Sequence, residues 1–251
     1  CIYLTSDDKL YVGTDNYGLY VYDNGAFNRV AETYNLGVST INAMYEDDKD
    51  QLWLASSSGI YYLTSDGVKM VDDEGISGYN IGNISGYDGT IYATANNDVL
   101  IRVDENGEIT VTSKSSYGID DINSLYIDEN GTRYYGSAGY SILTINSKGK
   151  VGVISTGSLH GINKIYNDGE KIWILADDGV GYITSGNKIV NVESLRFNES
   201  MSDMIKDFEG NYWFTSYRKG LLFLEQSKFQ NVTMKYGIDS SIVNCVTSYN
   251  G

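Results

Sequence analysis

An aromatic residue framed by apolar neighbours and followed by a small one returns about every 40 residues, and this spacing constrains the fold more than any other feature of the chain. It stands at Tyr11, Trp53, Tyr92, Tyr134, Trp173 and Trp213, at intervals of 42, 39, 42, 39 and 40 residues. The small residue that closes each motif is Thr14, Ser56, Ala95, Ser137, Ala176 or Ser216. A second marker follows the aromatic: Gly18-Leu19, Gly59-Ile60, Gly179-Val180 and Gly220-Leu221, with Asp98-Val99 and Gly139-Tyr140 expected at the same place in the two remaining copies. Six full copies are visible, and a seventh begins at Ile242-Val243-Asn244-Cys245-Val246.

Within a copy the period is that of strands. The second copy runs Ile41-Asn42-Ala43-Met44-Tyr45, an acidic turn, Gln51-Leu52-Trp53-Leu54-Ala55, a Ser-Gly turn, Ile60-Tyr61-Tyr62-Leu63, the turn Ser65-Asp66-Gly67, and Val68-Lys69-Met70-Val71. These are four short β runs joined by hairpin turn signals, and no window keeps a helical period. Four antiparallel strands per repeat predict an all-β chain: a β-propeller over residues 1–251, six- or seven-bladed, with blades starting near 1, 41, 81, 122, 162 and 202. A β-solenoid fits less well, because its coils are shorter and lack hairpin punctuation. Each blade has two apolar faces and buries them only against its neighbours, so the repeating Trp or Tyr is expected to fill the space between blades. Asn42, Asn123, Asn163 and Asn244 recur just inside the first strand, which points to a structural task such as bonding the preceding loop. Cys1 and Cys245 share a phase in different repeats and are expected to be free, largely buried thiols.

Composition narrows function by exclusion. Lys and Arg number 18 against 33 Asp and Glu, a formal charge of −15. Such a surface is unsuited to nucleic acid, where cationic side chains supply most of the affinity, and to anionic lipid. The chain has a single histidine and two cysteines, too few for an ordinary zinc site. No phosphate-binding glycine loop and no Gly-x-Ser-x-Gly elbow occurs. The acidic turns at 47–50 and 128–131 lack the spaced ligands and closing Glu of a calcium loop, and read as hairpin turns. No cofactor is expected. The absence of an initial Met and of a signal segment leads us to expect a piece of a longer protein, attached to a membrane only through segments outside this chain.

The stretch from Ile41 to Ile60, and above all that from Met204 to Leu221, resembles the two-component regulator propeller repeat. The first, second and fifth copies are similar to it; the third and fourth are degenerate. The resemblance covers essentially the whole chain. It implies the extracytoplasmic sensor region of a membrane signalling protein, such as a hybrid histidine kinase or a diguanylate cyclase. It carries no catalytic residues to transfer, and no ligand motif that maps onto these positions.

Candidate site residues come from the loops. In a propeller the loops between second and third strands, and those between blades, share one face over the central channel. Here the first set carries 15–17, Ser57-Ser58, Asn96-Asn97, Asp177-Asp178 and Tyr217-Arg218. The second carries Tyr34-Asn35, Tyr79-Asn80, Tyr117 with Asp120, His160, Asn198, and Tyr236 with Asp239. Most Asn and Asp in such loops serve the turns themselves. Residues that break the repeat, Tyr17, His160, Tyr217 and Arg218, are the better candidates for specificity, and together with Asn97 they are expected to form a ligand-binding set. Their chemistry suits a sugar, an amino acid, a peptide or a protein partner, and a homodimer is an open possibility. The alternatives are a propeller enzyme, either a lyase or a glycoside hydrolase using His160 or an acid pair, and a protein-interaction scaffold.

Overall fold

The computed structural model describes residues 1–30, 38, 40–64, 67–71, 75–192 and 198–225. The first blade is β1 (Ile2–Leu4), β2 (Leu10–Gly13), β3 (Leu19–Asp23) and β4 (Ala26–Arg29). The second is β5 (Ile41–Glu46), β6 (Leu52–Ser56), β7 (Gly59–Thr64) and β8 (Gly67–Met70). The third is β9 (Ile81–Tyr87), β10 (Thr90–Ala95), β11 (Val99–Val103) and β12 (Ile109–Ser113). The fourth is β13 (Ile122–Ile127), β14 (Arg133–Ser137), β15 (Ser141–Ile145) and β16 (Val151–Ser155). The fifth is β17 (Ile162–Asn167), β18 (Ile172–Ala176), β19 (Gly179–Ile183) and β20 (Ile189–Asn191). The sixth is β21 (Met201–Lys206), β22 (Tyr212–Ser216) and β23 (Gly220–Leu224). Each is an antiparallel meander, and the first strand of every blade packs against the first strand of the next, from β1 through to β21. The arrangement is that of a six-bladed β-propeller. Among the described residues the only helical element is the short 3-10 turn Lys114–Ser116. The seventh repeat start, with Asn244 and Cys245, lies outside the described residues.

A shared irregularity in the inner strands explains how the blades are held. In β5, β9, β13, β17 and β21 the register with the neighbouring strand skips the second residue: Asn42, Gly82, Asn123, Asn163 and Ser202. A bulge of this kind bends the strand and re-aims its side chains. Asn42 Nδ2 then donates to the carbonyl of Ile81 in the next blade at 2.7 Å, and Asn163 Nδ2 to that of Met201 at 3.1 Å. In the two blades between them the following residue takes over. Asn83 Nδ2 donates to the carbonyl of Asn123 at 3.2 Å, and Ser124 Oγ to that of Ile162 at 3.0 Å. Cys1 Sγ, at the register position of Ser124, reaches the carbonyl of Ile41 at 3.5 Å. Asn42 and Asn163 are therefore structural, but their partner is the following blade. The side chain of Asn123 makes no hydrogen bond among the described residues, because Ser124 does the work in its blade.

At the opposite end of the strands a second device recurs. The acidic turn after the inner strand presents one Asp whose Oδ1 caps two backbone N–H groups of the turn and whose Oδ2 receives the repeat aromatic. Trp53 Nε1 donates to Asp47 at 2.8 Å, Trp173 Nε1 to Asp168 at 2.8 Å, Trp213 Nε1 to Asp207 at 3.0 Å, and Tyr134 Oη to Asp128 at 3.2 Å. Asp47, Asp128, Asp168 and Asp207 also accept the backbone caps of their turns. These turns are thus hairpin caps. Burial works to raise the Asp168 pKa. The hydrogen bonds from Tyr212 and Trp173 and from the N–H groups of Glu170 and Lys171 outweigh it and pull the group down to about 2.

The core lies between blades. Trp173, Leu175 and Val180 of the fifth blade pack on Met201, Met204, Tyr212 and Phe214 of the sixth. Ala55 and Ile60 of the second meet Ile81, Ile84, Ile91 and Ala93 of the third. The small residues that close the aromatic motifs are buried where strands crowd: Ser56, Ala95, Ser137, Ala176 and Ser216. The three tryptophans are not equivalent. Trp173 is 4% exposed, under Tyr212 and Phe214, whereas Trp53 and Trp213 are half-buried and lean on Tyr62 and Phe223 of their own blades. At the two ends of the series, Ile2 and Leu4 of the first blade and Ile205 and Leu221 of the sixth are exposed.

Two expectations need correction. Cys1 is free but exposed, since among the described residues nothing packs over its outer side; Cys245 is outside the described residues. Gly139-Tyr140 does not take the place of Gly59-Ile60. The pairing of Gly136 with Ile142 gives that place to Ser141-Ile142, and one extra loop residue leaves Tyr140 standing out. Asp98-Val99 shifts likewise, since Thr94 pairs with Leu100.

Trp173→Ala should cost about 3–5 kcal/mol in denaturant melts, the usual loss for a buried aromatic, and Trp53→Ala clearly less, because its ring already meets solvent. The depressed pKa of Asp168 makes a pH prediction. Its contribution to stability is complete above the unfolded-state value near 4 and is lost as pH falls towards about 2. Melting temperature followed from pH 5 to pH 2 should therefore fall less steeply in Asp168→Asn than in the parent, from a lower starting value.

Candidate functional site

The strand order places the loops between second and third strands at the same end as the connections between blades, and hydrogen bonds tie the two sets together. Thr40 Oγ1 donates to Asp15 at 3.0 Å, the N–H of Asn80 to Asn96 Oδ1 at 3.1 Å, and the N–H of Tyr217 to the carbonyl of Ser200 at 3.3 Å. This is the face at which donors beside the inner-strand bulges reach across to the next blade.

The five sequence candidates separate on this face. His160 lines one cavity and Tyr217 and Arg218 another, and Asp178 links the two. The ring of His160 lies 4.9 Å from that of Tyr140, tilted by 60°, and its backbone N–H donates to Asp178 Oδ1 at 2.9 Å. Asp178 in turn shares a cavity of about 500 Å³ with Asp177, Asn198, Glu199, Ser200, Tyr217 and Arg218. A neighbouring cavity, also about 500 Å³, is lined by Tyr140, His160, Asp120, Asp121 and Lys114. Tyr17 and Asn97 line neither. Tyr17 stands exposed at a loop tip, its N–H bonded to Thr14 Oγ1. Asn97 is a turn residue, at φ 57° with its carbonyl accepting the N–H of Ile122 at 2.8 Å. Tyr34, Asn35, Tyr236 and Asp239 lie outside the described residues.

The charges in the two cavities are arranged differently. In the first, Lys219 pairs with Glu199 at 3.2 Å, while Asp177 Oδ1 is held by Asn163 Nδ2 at 2.9 Å and by Ser200 Oγ at 3.0 Å. The guanidinium of Arg218 has no ion pair or hydrogen bond among the described residues. In the second, Lys114 bonds Asp121, and that bond raises the lysine above its ordinary pKa. Two glycines make room for the acids. A Cβ at Gly139 would fall on the Asp120 carboxylate, and one at Gly161, whose φ is +63°, would fall on that of Asp177. Among the described residues no group of three His, Cys, Asp or Glu side chains is placed to hold a metal ion, and no helix is long and apolar enough to cross a membrane.

Sequence reading missed Tyr140, Lys114 and Glu199. Tyr140 was detectable as a departure from the repeat, since the other copies carry an aliphatic residue after the marker position. Lys114 and Glu199 left no such signal, because a single charged residue in a polar loop is ordinary.

No family model and no curated protein matches this sequence. Solved structures do match in shape. The extracellular domain of a candidate one component system from B. thetaiotaomicron superposes with a TM-score of 0.75 at 17% identity, over 92% of this chain and 32% of that one. That of a candidate hybrid two component system from the same organism gives 0.68 at 15% identity, over 85% of this chain and 31% of that one. A catalytically inactive histidine variant of virginiamycin B lyase from Staphylococcus aureus, with quinupristin, gives 0.69 at 16% identity, over 88% and 78%. The chain therefore spans about a third of the length of those two extracellular domains. At these identities the likeness carries the propeller fold.

Proposed function

We propose that this chain is a ligand-binding propeller of an extracytoplasmic sensor protein, that it binds a small polar molecule or a partner's polar segment on the channel face, and that it has no turnover of its own. One observation carries the reading: two adjoining cavities across the fourth to sixth blades bring together aromatic rings, anchored carboxylates and an uncommitted guanidinium, and the scaffold depends on none of the exposed groups among them. Tyr217 and Arg218 are fully on the surface. The repeat resembles those of signalling propellers, and two of the structures similar in shape are extracellular domains of one- and two-component systems.

A lyase is the second reading, and one observation favours it. A structural neighbour is virginiamycin B lyase, inactive as a histidine variant, and the single histidine of this chain stands at the channel face. A general base of that kind is normally oriented by an acid on its second ring nitrogen. Among the described residues the His160 ring touches Tyr140, and no carboxylate bonds to it. That balance favours binding over catalysis.

A thermal-shift screen with oligosaccharides, amino acids and short peptides should find a ligand. Tyr217→Ala combined with Arg218→Gln should weaken its binding about tenfold or more and leave the melting temperature of the free protein nearly unchanged, since exposed positions contribute little to stability. Binding that survives the double change would move the site elsewhere. Measured turnover that disappears in His160→Ala would establish the lyase reading instead.

A further inference from the structure

We infer that the cavity between the fifth and sixth blades takes a free α-amino acid as its zwitterion, with the carboxylate on Arg218 and the ammonium on Asp178 and Asp177. The inference rests on the reading of the channel face as a ligand site and names the ligand class. Three carboxylates line this cavity, and among the described residues only Glu199 has a cation of its own, Lys219. Asp177 is held by Asn163 and Ser200, and Asp178 by the backbone N–H of His160. Those donors are neutral. They fix the position of each carboxylate, and no cation among the described residues offsets its charge, the arrangement that receives an ammonium by charge-assisted hydrogen bonds. Arg218 lines the same cavity from the loop of the sixth blade, its guanidinium has no partner among the described residues, and a guanidinium fork matches a carboxylate with two parallel hydrogen bonds.

Charge sign then discriminates among ligands. A simple anion would meet the guanidinium but also two negative side chains. A simple cation would meet the aspartates but also Arg218. A neutral sugar would gain hydrogen bonds and leave both charges unanswered. A molecule with an ammonium and a carboxylate on one carbon answers both. The cavity volume of about 500 Å³ is ample for an amino acid and lies within the usual range for small-ligand sites. Tyr217 lines the same wall, and its exposed ring offers a flat apolar surface to the side chain.

The test is calorimetric titration of the whole chain with the twenty standard L-amino acids, followed by the N-acetyl and carboxamide derivatives of any that binds, and in parallel with cellobiose and maltose. At least one amino acid should bind. Blocking either terminus should weaken it about tenfold or more, and so should Arg218→Gln and Asp178→Asn taken singly. Asp178→Asn keeps an oxygen to accept from the N–H of His160, so the loop should hold its shape, and an unchanged melting temperature would show that it does. Amino acid binding that is indifferent to the blocking groups would overturn the inference. So would the absence of any amino acid binding; if a disaccharide then bound in a Tyr217-dependent way, the channel-face reading would stand without the zwitterion, and if it did not, both would fall.

Discussion

In β5, β9, β13 and β17 a side-chain donor at the start of the inner strand bonds the carbonyl at the start of the next inner strand, and the rest of the structure hangs on that link. A four-stranded sheet with two apolar faces has no stable existence alone, and hydrophobic contact between blades is not directional enough to fix their angle or register. The bond from Asn42 to Ile81, and its counterparts from Asn83, Ser124 and Asn163, supply direction. Each also satisfies a carbonyl that would otherwise face the inner lip of the sheet, where an unmet polar group costs roughly 1–3 kcal/mol. The bulge beneath it is what aims the donor, which explains why the register slips at the same strand position in five blades.

The two ends of the strands have divided their tasks. At one end the turn aspartates cap the hairpin and hold the indole or phenol of the repeat, so residue choice there is tied to the fold. Tyrosines at the far ends of the inner strands add to this, as when the N–H of Glu46 bonds Tyr3 Oη at 3.1 Å and Asn167 bonds Tyr126 Oη at 2.9 Å. At the other end the inner-strand donors secure the blades, and the loops above them are tied to one another at a few points. Variation has accumulated there: the extra residue that exposes Tyr140, the His160 ring against it, and the Tyr217-Arg218 pair.

The fold was legible in the sequence because its determinants are periodic. Strand positions, blade starts and the buried small residues all follow from a spacing of about 40 and from turn residues at fixed offsets. What was not legible depends on one-residue offsets and on neighbours distant in the chain. Tyr140 was misassigned because a three-residue loop and a two-residue loop look alike in a degenerate copy. The depth of Trp173 relative to Trp53 comes from Tyr212 and Phe214 in the following blade, which no local pattern reveals. Of the residues singled out, His160, Tyr217 and Arg218 line cavities on the channel face, whereas Tyr17 and Asn97 stand apart from those cavities. The anchoring of Asp177 by Asn163 and Ser200 joins strand β17 to two loops and could be seen only in three dimensions.

The central claim is that the inner strands, linked blade to blade, form a rigid hub on which the channel-face loops are mounted. Native-state hydrogen exchange resolved to single amides tests it most directly, because exchange free energies distinguish subglobal opening from global unfolding. The account predicts that amides of β5, β9, β13 and β17 exchange only through global unfolding. Those of the outer strands β8, β12, β16 and β20 should open at lower free energy, and those of the loops at 177–178 and 217–219 at the lowest. Outer strands that exchange as slowly as the inner ones, or inner strands that open first, would contradict it.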